Sequence, residues 1–258
     1  TVLALHGGPG FDHAYFKPAL SGLADTAQLV YLDLRGQGRS GRPPVETCTL
    51  EQMADDAAAF CRTLGIMQPI VLGHSAGGFV ALHLAVRHPD LVSRLILIDT
   101  AAATADMGDA MGELERRCGA EARAAAERVF GGDASEAAMA DFGRLVFPAY
   151  VGDPAKVATV MEAVGRSSFN PEVASAYFRH QAARYDLRDE LGKLRLPCLV
   201  IVGDRDWLLP PSASRVMAAG IPRAGLVVVP GAGHFPFLEQ SDVIAEAVRH
   251  FLGAVAVA

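Results

Sequence analysis

The stretch "PIVLGHSAGGFVALHLAVRHP", residues 69–89, passes from an apolar β-branched run, through a serine set among glycines, into a helical pattern. Three readings compete for "GHSAGG" (73–78): an ordinary tight turn, a phosphate-cradling loop, or a nucleophile elbow. A phosphate loop needs a lysine followed by serine or threonine, and none is present here. A Gly-x-Ser-x-Gly turn between strand and helix strains the serine backbone and holds its hydroxyl clear of the strand end. The free N–H groups and positive dipole end of the following helix face the same point. Gly73, Ala76, Gly77 and Gly78 supply the small neighbours such a turn needs, so Ser75 is the candidate nucleophile.

Outward from this turn, short apolar runs alternate with helical patterns. Candidate strands are 2–5, 29–32, 70–72, 95–98, 199–202 and 226–229. These runs are nearly continuous rather than alternating, as strands covered on both faces of a parallel sheet should be. Helical stretches lie at 14–23, 50–64, 76–87, 212–219 and 242–252, and Thr49 followed by Gln52 forms a capping-box pattern. The fold class is therefore α/β, with a mostly parallel central sheet flanked by helices. From 101 to 193 no strand is evident, only helical pattern at about 108–130, 135–147, 154–164 and 171–183. This reads as a helical cap inserted between two strands of a core made from 1–100 and 194–258, rather than as an independent domain.

Bulk properties narrow the partners. The chain has 258 residues, is 51% apolar and 20% charged, and carries a net charge of −6. Nucleic acid and anionic membranes both call for a basic face, which this balance does not supply, so the expected partner is a small molecule or short peptide. No apolar run approaches the ~18 residues that span a bilayer. Cys48, Cys61, Cys118 and Cys198 are scattered without metal or redox spacing and read as buried free thiols. No metal or cofactor is expected. The chain opens without Met inside a strand, which suggests an upstream piece; a cytoplasmic location is expected, with targeting unread.

A serine hydroxyl becomes nucleophilic when a base takes its proton. Of the eight histidines, His234 in "VVVPGAGHFPFLE" lies on a loop just past a strand, at the edge where active sites of open sheets form. His6 and His74 lie near that edge as supporting candidates, whereas His83, His88 and His250 fall on helices. A carboxylate should orient the imidazole. The loop "VGDRDWLLPP" offers Asp206 and Asp204, and Asp99 ends another strand on the same edge; chain order ranks them Asp206, Asp204, Asp99. Oxyanion donors are expected from the backbone N–H groups of Ala76 and Gly8, the latter in "LHGGPG" (5–10).

At these residues the chain resembles the α/β-hydrolase superfamily. "HGGPG" (6–10), "YLDLRGQGRS" (31–40), "GHSAGG" (73–78), "GDRDWLLP" (203–210) and "GAGHFPFLE" (231–239) follow the family's order, and the likeness covers all but the insertion. The resemblance implies an α/β-hydrolase fold with a helical cap and an acid at the fourth position of a Gly-x-x-Asp loop, here Asp206. The opening strand resembles the family's third. "HGGPG" looks most like the proline iminopeptidase branch, in which cap carboxylates hold the substrate's free ammonium group. Ala76 stands where that branch carries an aromatic residue, and "DLRG" (33–36) where it tends to carry "DQRG". The insertion offers Glu113, Glu115, Glu121, Glu127, Glu136, Glu162 and Glu172, and no motif singles one out.

The expected function is hydrolysis of a small ester or amide through an acyl-enzyme, leaning to an iminopeptidase-like aminopeptidase. The alternatives are a carboxylesterase, lactonase or thioesterase, carbon–carbon bond hydrolysis, and a hydrolase-fold ligand receptor. A serine nucleophile argues against epoxide or haloalkane chemistry, because an alkyl ether on serine offers no carbonyl for water to attack.

Overall fold

The computed structural model describes residues 1–253. Strands β1 (Val2–Leu5), β2 (Leu29–Leu32), β3 (Ile70–His74), β4 (Arg94–Ile98), β5 (Cys198–Gly203) and β6 (Ala224–Val229) form one parallel sheet in the order β2-β1-β3-β4-β5-β6. The continuous apolar runs mark its centre. All four residues of β1 and all six of β5 are buried, whereas the edge strands β2 and β6 are mostly half-buried. Helices α1 (Lys17–Leu20), α2 (Leu50–Thr63) and α3 (Ala76–Arg87) connect the first strands. The Thr49 hydroxyl caps α2 by accepting from Gln52 N at 3.1 Å, as the capping pattern anticipates.

The strand order locates the functional edge. The chain leaves β1 in one direction to β2, then crosses back to β3 on the other side of β1 and winds away through β4, β5 and β6. The crevice outside the carboxyl ends of β1 and β3 is thus the topological switch point, where ligands of open α/β sheets bind. In the paired register Leu5 sits opposite Gly73. "HGG" and "GHS" therefore leave the sheet side by side.

The segment between β4 and β5 is helical: α4 (Ala110–Cys118), α5 (Ala120–Phe130), α6 (Glu136–Asp141), α7 (Val157–Val164) and α8 (Pro171–His180), with short 3-10 and π turns between. Two local expectations need correction. The single helix expected over 108–130 is broken at Gly119, which adopts φ +86°, a conformation only glycine takes freely. The stretch 14–23 is a short α-helical turn flanked by 3-10 turns, with Pro18 in its first turn, rather than one helix. Of the four thiols, Cys118 is exposed rather than buried, and none is in a disulfide. The chain finishes with α9 (Pro211–Gly220), α10 (Pro236–Glu239) and α11 (Ser241–Gly253).

The helical segment is tied to the loops at the carboxyl edge. Asn170 N donates to Gly10 O at 2.7 Å, and its side-chain amide donates to Gly36 O at 2.7 Å. Ser168 donates twice to Asp12, Gln181 bonds both Leu50 N and Cys48 O, and His234 N donates to Tyr150 O. Its two ends are closed by Leu187 N to Ala102 O and Thr104 N to Tyr185 O.

β1 and α3 meet backbone to backbone. A Cβ on Gly77 would collide with the carbonyl oxygens of Leu5 and His6, and one on Gly73 would meet Gly77 O at 2.5 Å. Both obstacles are backbone, which cannot rotate away. Gly77→Ala is expected to lower stability by about 3 kcal/mol or more, read as a lower urea midpoint at unchanged slope. A variant as stable as the parent would mean that the two backbones separate easily.

Candidate active site

Ser75 follows β3 directly and occupies the cap position of α3 with φ 52° and ψ −123°, a left-handed conformation that non-glycine residues rarely adopt. Two backbone bonds and one from a side chain hold it there. Ser75 N donates to Ile98 O at 3.0 Å, and Ser75 O accepts from Gly78 N and the buried Thr100 hydroxyl, each at 2.8 Å. The side-chain hydroxyl is left without a hydrogen-bond partner among the described residues.

The structure sorts the three candidate acids. Asp206 Oδ2 meets His234 Nδ1 at 2.7 Å, with both side chains buried. Asp206 Oδ1 accepts from Leu208 N and Leu209 N at 2.9 and 3.1 Å, so the carboxylate is locked to its own loop. Because a carboxylate oxygen can only accept, the hydrogen of His234 sits on Nδ1, and Nε2 is the free acceptor. Asp204 instead turns to Gly231 N at 2.7 Å and shapes an exposed turn. Asp99, also at positive φ (42°), accepts from Gly203 N at 2.9 Å through Oδ1, while its buried Oδ2 has no partner.

Asp99, Asp206 and His234 bring donor atoms within 4.8 Å of one another. Burial, and then the adjacent Asp206, hold the Asp99 carboxyl well above the ordinary carboxylate range, which favours its protonated form. The other such group, Asp12, His13 and Asp33, is engaged internally. Asp12 accepts from Ala14 and Ser168, and Asp33 accepts from His13 and from Arg39 N. Both groups are hydrogen-bond networks whose ligating atoms are mostly occupied.

Gly8 and Ala76 face one small cavity of about 20 Å³. Neither backbone N–H has a partner among the described residues, as an oxyanion donor pair requires. His6 fixes the peptide that carries the Gly8 N–H. Its Nε2 accepts from Leu34 N at 3.1 Å, so its hydrogen is on Nδ1, directed to Gly7 O at 3.1 Å. Burial lowers the His6 pKa, which keeps the ring neutral for this role. His83 packs near Tyr185, and His88 pairs with Asp55 at 2.8 Å, away from Ser75.

Four contributors were not legible beforehand. Thr100 clamps the elbow as described. Tyr15 Oη accepts from Gly7 N and hydrogen-bonds His74 Nδ1. Tyr150 packs edge-on to the His234 ring at 5.2 Å between centroids. Glu239, buried and raised in pKa by that burial, accepts from Gly233, Gly152 and Asp153 N–H groups. It thereby pins the His234 loop to the helical segment. Glu239 ends the "HFPFLE" stretch, which was its one available signal.

Comparison with known proteins follows the same lines. The family model described as alpha/beta hydrolase fold matches residues 1–241. A proline iminopeptidase from Pestalotiopsis fici is 30% identical, over 97% of this chain and 91% of that protein. A putative carbamate hydrolase from Rhizobium rhizogenes is also 30% identical, over 98% and 93%. The structure of a thermophilic esterase from Thermogutta terrifontis superposes with a TM-score of 0.77 at 32% identity, covering 98% of this chain and 89% of the other.

The two carboxyls beside His234 can be told apart by substitution. Asp206→Asn is expected to lower kcat by about 10⁴-fold, whereas Asp99→Asn, a neutral side chain replacing a neutral acid, should keep activity within about threefold. The raised Asp99 pKa also has a sign. Its contribution to stability is present below the unfolded value of about 3.9 and is lost as pH rises toward the folded value. The urea midpoint of Asp99→Asn should therefore gain on that of the parent between about pH 4.5 and about pH 7. A constant difference across that range would show Asp99 to be ionised in the fold.

Proposed function

The chain belongs to the α/β-hydrolase family, and from that premise we propose that it hydrolyses a small, uncharged carboxylic ester through an acyl-enzyme on Ser75. His234 Nε2 takes the serine proton, and Asp206 holds the imidazole with Nδ1–H turned inward and stabilises its cationic form. The attacked carbonyl becomes a tetrahedral oxyanion in the hands of Gly8 and Ala76 N–H. Collapse expels the alcohol, which receives the proton from His234. Water, activated by the same base, then frees the acid. The helical segment between β4 and β5 serves as the cap that closes this edge from solvent.

The single observation that carries the substrate class is the lining of the cavity at Gly8 and Ala76. Leu34, Leu50, Met53, Val80, Val173 and Tyr177 line it, beside the imidazole of His6, and no Asp, Glu, Lys or Arg contributes to it. Gln37 and Gln181 also line it, but both amides are committed, to Gly10 N and to Leu50 N and Cys48 O. A space of about 20 Å³ accommodates one or two water-sized groups, which suits a short acyl chain.

An iminopeptidase-like aminopeptidase is the second reading, favoured by "HGGPG" and by the name of the Pestalotiopsis relative. It requires carboxylates around a free ammonium. The candidate glutamates of the insertion are engaged elsewhere: Glu113 with Arg116 and Arg117, Glu115 and Glu127 with Arg123, and Glu162 with Arg166. Glu121, Glu136 and Glu172 are exposed. Desolvating a substrate ammonium against an apolar wall would cost several kcal/mol, so the neutral ester is preferred.

A matched pair of substrates decides between the two. kcat/KM for a p-nitrophenyl ester of a two- to four-carbon acid is expected to exceed that for an aminoacyl anilide by about 100-fold or more. Faster anilide cleavage that is abolished by acetylating the amine would reverse the assignment. Ser75→Ala should cost about 10⁴-fold or more in kcat and abolish labelling by a fluorophosphonate. Turnover that survives this substitution would remove Ser75 from the mechanism.

A further inference from the structure

We propose that Tyr15 and His74 are positioning residues that couple the oxyanion loop to the base loop through one directed chain of hydrogen bonds. The inference rests on the reading of Ser75, His234 and Gly8 given above, and concerns two buried groups that reading leaves without a task. Gly7 N lies 2.5 Å from Tyr15 Oη, Tyr15 Oη lies 2.9 Å from His74 Nδ1, and His74 Nε2 lies 2.8 Å from His234 O.

The direction of every bond follows from its two ends. A carbonyl oxygen can only accept, so His74 carries hydrogen on Nε2 and donates it to His234. A backbone amide can only donate, so Gly7 N–H gives to the Tyr15 oxygen. In a neutral His74 ring Nδ1 is then bare, and the Tyr15 hydroxyl hydrogen completes the chain by pointing at it. A cationic ring would need Nδ1 to donate, leaving the Tyr15 hydrogen without a partner. Burial, and the nearby His234, keep His74 well below the ordinary imidazole range, in agreement with the neutral form.

The positions joined are those that the chemistry must hold in register. Gly7 precedes the Gly8 donor, His74 precedes the Ser75 nucleophile, and the His234 carbonyl belongs to the base itself. All three segments reach the site from different strands. Tyr15, from the turn after β1, has only 3% of its surface exposed and does not line the cavity. The rings of Phe235 and Phe237 pack on His74 at 5.3 and 4.9 Å, which denies water access to the chain. A hydrogen-bond chain in such surroundings is both stronger and less replaceable than one open to solvent.

The test compares the full-length protein with Tyr15→Phe, His74→Leu and the double variant, measuring kcat and KM on a short-chain p-nitrophenyl ester and the rate of fluorophosphonate labelling. Tyr15→Phe keeps the ring and deletes the hydroxyl. It should lower kcat and the labelling rate by about tenfold with KM within about twofold. Because either single change breaks the same chain, the double variant should be no slower than His74→Leu by more than about twofold. Tyr15→Phe with parental kcat, or single effects that multiply in the double variant, would overturn the coupling. A general loosening of the site would raise KM along with lowering kcat, and that result also counts against it. If His74→Leu does not fold, the kcat against KM split and the labelling rate of Tyr15→Phe decide alone. A parent protein that neither labels nor turns over esters would sink the reading of the site itself. Normal labelling in both parent and Tyr15→Phe sinks only the coupling.

Discussion

The end of β1 and the first turn of α3 press backbone against backbone, and the geometry of the carboxyl edge depends on that contact. Gly77 lets the helix start directly against the carbonyls of Leu5 and His6. The helix cannot begin so close to the strand unless the chain reverses within one residue, and that residue is Ser75 at φ 52°. Strain of this kind costs on the order of 1–3 kcal/mol, and the bonds from Gly78 N and Thr100 to Ser75 O hold the strained turn in place. The same approach brings Ala76 and Gly8 to the wall of one cavity. The proposed nucleophile and the proposed oxyanion donors therefore trace to a single packing constraint.

Desolvation decides the charge pattern around this edge. Burial keeps His6 and His74 neutral, and favours the protonated form of Asp99. Neutral rings can both accept and donate, and the structure uses each in that way: His6 between Leu34 and Gly7, His74 between Tyr15 and His234. Asp206 is the acid hydrogen-bonded to His234. The cavity wall itself includes no Asp, Glu, Lys or Arg, while the buried Asp12 and Asp33 lie near His6, the effect of their burial outweighed by hydrogen bonds that hold both carboxyls low.

The helical segment between β4 and β5 divides its polar groups by location. Its charged side chains pair with one another on the surface, as Arg123 does with Glu115 and Glu127, and such exposed pairs contribute little to stability. Its attachment to the sheet edge comes from a few bonds shielded from water. Glu239 gathers three backbone N–H groups from both sides of the contact, and His234 N reaches Tyr150 O. The loop bearing His234 is thus tied to the helical segment between β4 and β5.

Much of this was legible in the residues, for physical reasons. Continuous apolar runs such as "LVIVG" mark strands covered on both faces, and a glycine-flanked serine after such a run marks the elbow, because both signals are local consequences of sterics and burial. Helix ends were less clear: Gly119 broke one expected helix with a φ of +86°, at an exposed position where a Cβ would meet nothing within 4 Å, so the break lies in the backbone turn itself rather than in packing. The sequence could rank Asp206 above Asp204 and Asp99, but all three sit at the same edge and differ only in where their oxygens point. Tyr15 carried no signal at all, since its importance lies in meeting Gly7 and His74, one of them 59 residues away. The sequence by itself determined the sheet, the elbow and the types of side chain available. Only the tertiary structure decided which carboxyl serves His234, which rings stay neutral, and that the cavity wall is uncharged. Those outcomes depend on distance and desolvation between residues remote in the chain, and neither quantity is a property of any short stretch.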